Sequence, residues 1–395
     1  MDIQFAHRFD GISGSAIREI FKLLAVPGMI SFAGGNPAAS ALPDQVCADL
    51  ARELLLEKGK TLLQYGATEG YAPLRESLVD YVKDRFSFSC AADEILPVTG
   101  STQAMDLLCK ALNDPGDKVV VENPTFLGNM QAIRLYQAQL VPVDSDDEGI
   151  DVDALEEVFK KEHPKMLYVI PTFQNPTGRT LSLERRKRIA ALAAQYHVVI
   201  AEDDPYRDLR YAGKELPSIK SFDTEGWVAF MGSFSKVISP GLRVGFLCAE
   251  KTLLRKCTIG KQSSDVHTAN LNQATVDAYL RRGLLKPHVE EICKSYAHQM
   301  NTMLGLLGQC AGVEKYTRPE GGLFIFAELR EGLNATDLMT TCVDKGVAYV
   351  PGTHFYAQGG HDNTFRLNFS MSTLEQIQKG MGLLNDAFAE ALKER

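Results

Sequence analysis

Trp227-Val228-Ala229-Phe230-Met231 runs directly into Gly232-Ser233-Phe234-Ser235-Lys236, an apolar stretch that stops at small polar residues and delivers one lysine to its end. A short apolar run rich in strand-forming residues and closed by glycine has the pattern of a buried β-strand. A lysine attacks carbonyls only when its ammonium form is disfavoured, and burial together with a neighbouring cation lowers its pKa in that way. Arg243, in Pro240-Gly241-Leu242-Arg243-Val244-Gly245, is such a cation. Serines at 233 and 235 add hydroxyl donors without bulk, and the glycines let backbone pass close to a ligand. An anion, most simply a phosphate, fits between them. Taken alone, the segment also reads as a surface lysine behind an edge strand.

Outward from this stretch, short apolar runs alternate with helical patterns between about residues 94 and 250. The runs are Ile95 to Val98, Val119 to Val121, Leu140 to Val143, Leu167 to Ile170, Val198 to Ala201, Val228 to Met231 and Val244 to Leu247. Glu184 to Tyr196, with Ile189, Leu192 and Ala193 as its apolar positions, is one of the helices between them. This rhythm predicts an α/β domain on a mostly parallel sheet, whose ligands sit beyond the carboxyl ends of the strands. After about residue 285 the pattern becomes that of a smaller α+β lobe. A helix over Leu285 to Gln309 precedes a strand at Gly322 to Phe326, a helix near Ala335 to Lys345, and strands near Val347 to Val350 and Phe365 to Phe369. The last helix opens on Ser372-Thr373-Leu374-Glu375, a capping-box pattern. The first 45 or so residues read as an arm of loops with one short helix near Ser15 to Leu24.

The 395 residues suffice for a large core with a cleft between lobes, and 45% hydrophobic with 23% charged residues is ordinary globular composition. A net charge of −8 without a basic cluster argues against a nucleic-acid surface, so an anionic substrate must be met by individual arginines. Met1 to Phe5 carries no basic region leading into an apolar run and no window approaches a membrane span, so a cytoplasmic location is expected. Eight scattered cysteines and eight dispersed histidines read as reduced thiols and no metal site.

Three further strand ends carry chemistry. Ile95 to Val98 leads into Thr99-Gly100-Ser101-Thr102, a glycine turn at a helix start whose free N–H groups make a phosphate seat, or simply a capped helix. Leu167 to Ile170 leads into Asn175-Pro176-Thr177-Gly178, where the asparagine either points its amide at a ligand oxygen or forms a plain turn. Val198 to Ala201 ends in Glu202-Asp203-Asp204-Pro205-Tyr206, where a carboxylate beyond a buried strand needs a partner such as a pyridinium nitrogen, or caps the next helix.

Asn175-Pro176-Thr177-Gly178, Asp203-Asp204-Pro205-Tyr206 and Ser233-Phe234-Ser235-Lys236 with Arg243, in that order and spacing, resemble the fold-type I aminotransferases of class I/II, over essentially the whole chain. Within them the chain looks most like the branch holding 2-aminoadipate (LysN-type) and kynurenine aminotransferases. The resemblance implies a mostly parallel seven-stranded sheet flanked by helices plus a smaller α+β domain. The implied division is 1–45 arm and part of the small domain, 46–285 large domain, and 286–395 small domain. It implies pyridoxal 5′-phosphate as cofactor, with Lys236 as its Schiff-base lysine and proton carrier, Asp203 on the pyridine nitrogen, and Asn175 and Tyr206 on the ring hydroxyl. Ser101, Thr102, Ser233, Ser235 and Arg243 would hold the phosphate, and Phe126, in place of the usual tyrosine, would stack on the ring without offering a hydroxyl.

On the substrate side the resemblance implies Arg366 for the α-carboxylate, with Asn175, Gly35, Ser15 and Arg18 also in contact and Arg18 matching a residue that recognises a distal carboxylate. Tyr65 would reach the neighbouring subunit's cofactor, which implies a homodimer with shared sites. The implied reaction moves an amino group between a broad range of L-amino acids and a 2-oxo acid such as 2-oxoglutarate. A β-lyase or racemase would share the same cofactor residues. A cofactor-binding regulator without turnover would need a DNA-binding module for which the chain leaves no length.

Overall fold

The computed structural model describes residues 3–10, 12 and 28–393. Its strands are β1 (Ile30–Ser31), β2 (Ile95–Val98), β3 (Lys118–Asn123), β4 (Gln139–Asp146), β5 (Gly149–Ile150), β6 (Met166–Val169), β7 (Val199–Asp203), β8 (Val228–Ser233), β9 (Gly245–Cys248), β10 (Val313–Tyr316), β11 (Phe324–Leu329), β12 (Val347–Ala348), β13 (Val350–Pro351) and β14 (Thr364–Asn368). The large sheet has the order β2-β9-β8-β7-β6-β3-β4-β5. Seven of these strands are the expected ones; the eighth, β5, is a two-residue antiparallel extension of β4 with no apolar run to announce it.

Alternate residues of the central strands enter opposite cores, as the two-residue period of a strand requires. Val119, Val121, Met166, Tyr168, Val199 and Ala201 belong to one cluster. Val120, Leu167, Val169, Val198, Ile200 and Val228 belong to the other, beneath the helices Val152–Glu162 and Leu183–Tyr196. Burial on both faces is why these strands read as continuous apolar runs.

The pairing directions decide where chemistry collects. β3, β4, β6, β7 and β8 run parallel, while β9 lies antiparallel to both β8 and β2. The strand β2 therefore points the same way as β8, and the carboxyl ends of β2, β3, β6, β7 and β8 share one edge. Because β9 runs opposite to its neighbours β2 and β8, its first residues, and Arg243 just before them, arrive at that edge too. Val98, Gly245 and Ser233 are paired in register there.

The smaller lobe carries an antiparallel sheet of order β10-β11-β14-β13, with helices Leu285–Leu307, Ala335–Asp344 and Leu374–Lys393. The N-terminal segment joins it through parallel pairing of β1 with β12. Residues 347 to 350, expected as one strand, divide between two sheets: Val347 and Ala348 pair with β1, Val350 pairs with β14, and the intervening Tyr349 is buried with its hydroxyl on the Ala335 carbonyl. The strand β8 starts at Val228, leaving Trp227 stacked on His197. The capping box of the last helix is shifted by one residue. Thr373 and Gln376 exchange the two bonds, because Ser372 is buried and its carbonyl accepts from Gln299. The expected helix near Ser15 to Leu24 lies outside the described residues. Among the described residues no helix is long and apolar enough to cross a membrane.

Candidate active site

Lys236 follows the end of β8, partly buried, and its Nζ donates to the Gly35 carbonyl at 2.7 Å. Burial holds its pKa down at about 8, with Arg366 and then Arg243 pushing the same way and Asp203 opposing. The depression anticipated from Arg243 is present, and Arg366 from the small lobe contributes more.

Asp203, the last residue of β7, is buried. Its Oδ2 accepts from the Tyr168 hydroxyl at 3.0 Å and from Asn129 Nδ2 at 3.3 Å, while Oδ1 has no partner among the described residues. Burial raises this carboxyl to about 7, against the pull of the Tyr168 hydroxyl. Tyr206 is buried edge-on to Phe324, its ring centre 5.8 Å away. Burial and Asp203 push its phenol well above the ordinary range, with Arg366 and Asn175 opposing.

At the end of β2, Gly100 has φ +81° and leads into the helix Ser101–Leu112, whose start has no side-chain cap. The first N–H groups of the helix are thus left for an anion. A Cβ on Gly100 would collide with the Arg243 guanidinium, which donates to the Thr99 carbonyl at 3.0 Å. Ser233 Oγ donates to Ser235 Oγ at 3.0 Å and accepts the Ser235 N–H at 3.2 Å. Ser101, Ser233, Ser235 and Arg243 are thereby gathered around one turn, with Thr102 exposed at its side.

Phe126 precedes the helix Leu127–Leu135, and its ring lies where a Cβ on Gly128 would stand 2.6 Å away. Arg366 on β14 is buried; Nη1 donates to Asn175 Oδ1 and Nη2 to the Ala33 carbonyl, both at 2.7 Å. Among the described residues its Nε has no partner and no carboxylate pairs with it. The guanidinium lies over Phe324 and Phe355, 4.2 and 5.0 Å from their ring centres, and burial lowers its pKa to about 10. Asn175 was expected to point its amide at a ligand oxygen; its carbonyl end is instead taken by Arg366, which leaves the amino end for that purpose. Tyr65 is 82% exposed and is not brought to the other residues within one chain. Ser15 and Arg18 lie outside the described residues.

Tyr168 and Asn129, which hold Asp203, were not anticipated. Tyr168 sits inside an apolar run, where the one available signal is that a buried tyrosine hydroxyl needs an acceptor. Glu122, buried on β3 beside this edge, was also missed; it accepts the Ile170 N–H at 2.8 Å, and burial raises it to about 8.

A buried carboxylate with one unpartnered oxygen, an uncapped helix start beside an arginine, and a lysine held toward its neutral form suit a phosphorylated pyridine aldehyde. Residues 27–383 match the family described as aminotransferase class I and II. The chain is a class I and II aminotransferase. Its cofactor is pyridoxal 5′-phosphate and its fold is type I. This aminotransferase is 42% identical to the 2-aminoadipate transaminase of Thermus thermophilus, over 95% of this chain and 94% of the relative. It is 39% identical to aromatic-amino-acid aminotransferase 1 of Thermococcus litoralis, over 99% and 95%. The structure of Pyrococcus horikoshii kynurenine aminotransferase, solved with PMP, KYN and KYA, superposes with a TM-score of 0.94 at 38% identity, covering 98% of this chain and 97% of that one.

Proposed function

We propose that this aminotransferase accepts a broad range of L-amino acids, with 2-aminoadipate, aromatic and aliphatic ones among them, and passes the amino group to a 2-oxo acid such as 2-oxoglutarate. The observation that carries the reading is Arg366: a buried guanidinium without a carboxylate partner among the described residues, electrostatically coupled to a lysine of lowered pKa. A planar fork in that setting favours one α-carboxylate, which every amino acid and oxo acid carries. Breadth in the side chain is supported by relatives named for aromatic amino acids and for 2-aminoadipate at nearly equal identity.

Pyridoxal 5′-phosphate, when bound, supplies the aldehyde that carries the amino group and the ring that takes up the electrons left when Cα loses its proton. The chain's own residues do the rest. Ser101, Thr102, Ser233, Ser235 and Arg243 would hold the phosphate, Asn175 and Tyr206 the ring hydroxyl, and Phe126 would cover the ring. Asp203, whose Oδ1 has no partner among the described residues, would hold the protonated ring nitrogen. Arg366 orients the substrate by its carboxylate, with Gly35 alongside and with Ser15 and Arg18 as further contacts, Arg18 for a distal carboxylate. Lys236 Nζ, about half in its neutral form at pH 8, would take the proton from Cα. Donor and acceptor use the same site in turn, so ping-pong kinetics follow.

We also infer a homodimer, with 1–45 as arm and part of the small domain, 46–285 as large domain and 286–395 as small domain. Tyr65 packs edge-on to His267 beside the exposed Val266, and Leu56 and Leu63 are about as bare as Tyr65. Apolar surface of that kind favours a partner, into whose site Tyr65 would reach.

Purified enzyme given single amino acids and 2-oxoglutarate should form glutamate with several of them. Release of pyruvate and ammonia from a cysteine conjugate without any oxo acid, and no glutamate from any donor, would overturn the reading in favour of lyase chemistry.

A further inference from the structure

We infer that Lys261, acting through Gln103 and Asp265, positions the Thr99–Ser101 turn and so sets the affinity of the site for the phosphate group rather than for the ring. The inference rests on the proposed reading of that turn as the phosphate seat.

Lysine is almost never fully buried without partners. Lys261 lies in the last turn of the helix Lys251–Gln262 with its side chain 0% exposed. Its Nζ donates to Gln103 Oε1 at 2.6 Å, to both oxygens of Asp265 at 2.9 Å and to Thr268 Oγ1 at 3.0 Å, so its donors are saturated. All three of these partners converge on Thr99. Gln103 Oε1 accepts the Thr99 N–H at 2.8 Å, and Gln103 Nε2 donates to Asp265 Oδ2 at 2.7 Å. The Thr99 hydroxyl donates to the same Asp265 oxygen at 2.8 Å. With Arg243 on its carbonyl, Thr99 is fixed by its N–H, its hydroxyl and its C=O together.

The helix start explains the need. A glutamine in the third helical position commonly reaches back to the N–H of the capping residue. Here the capping residue is Gly100, which offers no side chain, and Gln103 reaches one residue further back to Thr99 instead. The first N–H groups stay open to an anion, but the turn loses the stiffness a capping side chain gives. The Lys261 network restores that stiffness from outside. A cation near a helix start also opposes the helix dipole, so its presence is unfavourable unless something offsets it. Asp265 does so, and removing Lys261 would leave that carboxylate without its cation and Gln103 free to swing.

Lys261 is therefore a positioning residue, and a readout that separates phosphate from ring tests it. Apo-enzyme is titrated with pyridoxal 5′-phosphate and with pyridoxal, which lacks the phosphate, following absorbance. Lys261→Met should weaken pyridoxal 5′-phosphate by about tenfold or more and leave pyridoxal within about twofold. Thr99→Val, which removes one hydroxyl from the network, should move the ratio of the two affinities the same way to a smaller extent, and it serves alone if Lys261→Met does not fold. An unchanged ratio, whether both ligands bind as in the wild type or both weaken together, overturns the inference. Arg243→Met separates the two levels. A ratio that shifts in Arg243→Met alone refutes the role of Lys261 and leaves the phosphate seat standing, whereas no shift in Arg243→Met refutes the seat and the inference with it.

Discussion

Replacing Arg366 by leucine should remove substrate carboxylate binding and raise the basicity of Lys236 in one step. Both effects are worked from the same surroundings. The guanidinium is buried between Phe324 and Phe355, with Nη1 and Nη2 tied to Asn175 and the Ala33 carbonyl and Nε unpartnered. Leucine suits the apolar rings, but a substrate carboxylate entering that place would lose its cation far from water. Truncating one member of such a buried charge pair costs about 2–5 kcal/mol. At 1.36 kcal/mol per decade that is roughly a 30- to 5,000-fold fall in kcat/KM for amino acids. An amine without a carboxylate should react at nearly the wild-type rate, which separates lost recognition from general damage. After burial, Arg366 is the largest influence holding the Lys236 pKa at about 8, so the variant should titrate this lysine at higher pH. Single-turnover absorbance changes with glutamate and with phenethylamine, recorded from pH 6 to 10, supply both readings. Glutamate turnover within about threefold of wild type, or a Lys236 titration that stays in place, would refute the assignment and the electrostatic coupling respectively.

Other outcomes follow from the neighbouring groups. In the apo-enzyme Asp203 titrates at about 7, above its unfolded value near 4, so the folded chain keeps a proton that the unfolded chain gives up, and stability is lost as pH rises through that window. Asp203→Asn should therefore match wild type in thermal melts at pH 4 and exceed it by about 2–4 kcal/mol at pH 8, and equal stability at pH 8 would show that the carboxylate is not strained by burial. Tyr168→Phe leaves Asp203 Oδ2 with Asn129 alone, and kcat should fall by about tenfold; steady-state assays with an unchanged kcat would discount the tyrosine. Gly100→Ala combines a left-handed backbone with a collision against Arg243, while Gly116→Ala has a similar φ and open space. Equilibrium dialysis should find cofactor affinity lost in the first and retained in the second, and equal behaviour of the pair would deny any role to close approach at Gly100.

The strand ends were legible because both faces of the central strands are buried. Each strand then appears as an unbroken apolar run, and whatever polar residue follows stands out. What the runs could not disclose was direction. That β9 is antiparallel to β2 and β8, and so carries Arg243 to the edge where those strands finish, is a property of pairing and leaves no trace in a four-residue run. Tyr168 was lost to the same continuity. Its side of β6 is fixed by parity, but which helix covers that side, and hence that Asn129 joins it on Asp203, depends on packing across distant segments. Lys261 and Asp265 look in sequence like an ordinary exposed helix pair four residues apart. The burial of Lys261 arises only where the helix Lys251–Gln262 meets the helix Ser101–Leu112, 158 residues away along the chain between Lys261 and Gln103.

The state of Lys236 depends on both lobes at once, and this ties its chemistry to their arrangement. Arg243 reaches it from the edge of the large sheet and Arg366 from β14 of the small one. The acceptor of its Nζ, the Gly35 carbonyl, belongs to a segment stitched to the small lobe, since Phe32 donates to Ala348 and accepts from Asn368. A carboxylate bound to Arg366 would neutralise the stronger of the two cations that depress Lys236, raising its pKa once a substrate is in place and so strengthening its hold on a proton it takes up. In the proposed reaction, recognition and proton transfer would thus be linked through one guanidinium: the group proposed to select the substrate would also shift the pKa of the lysine proposed to act on it.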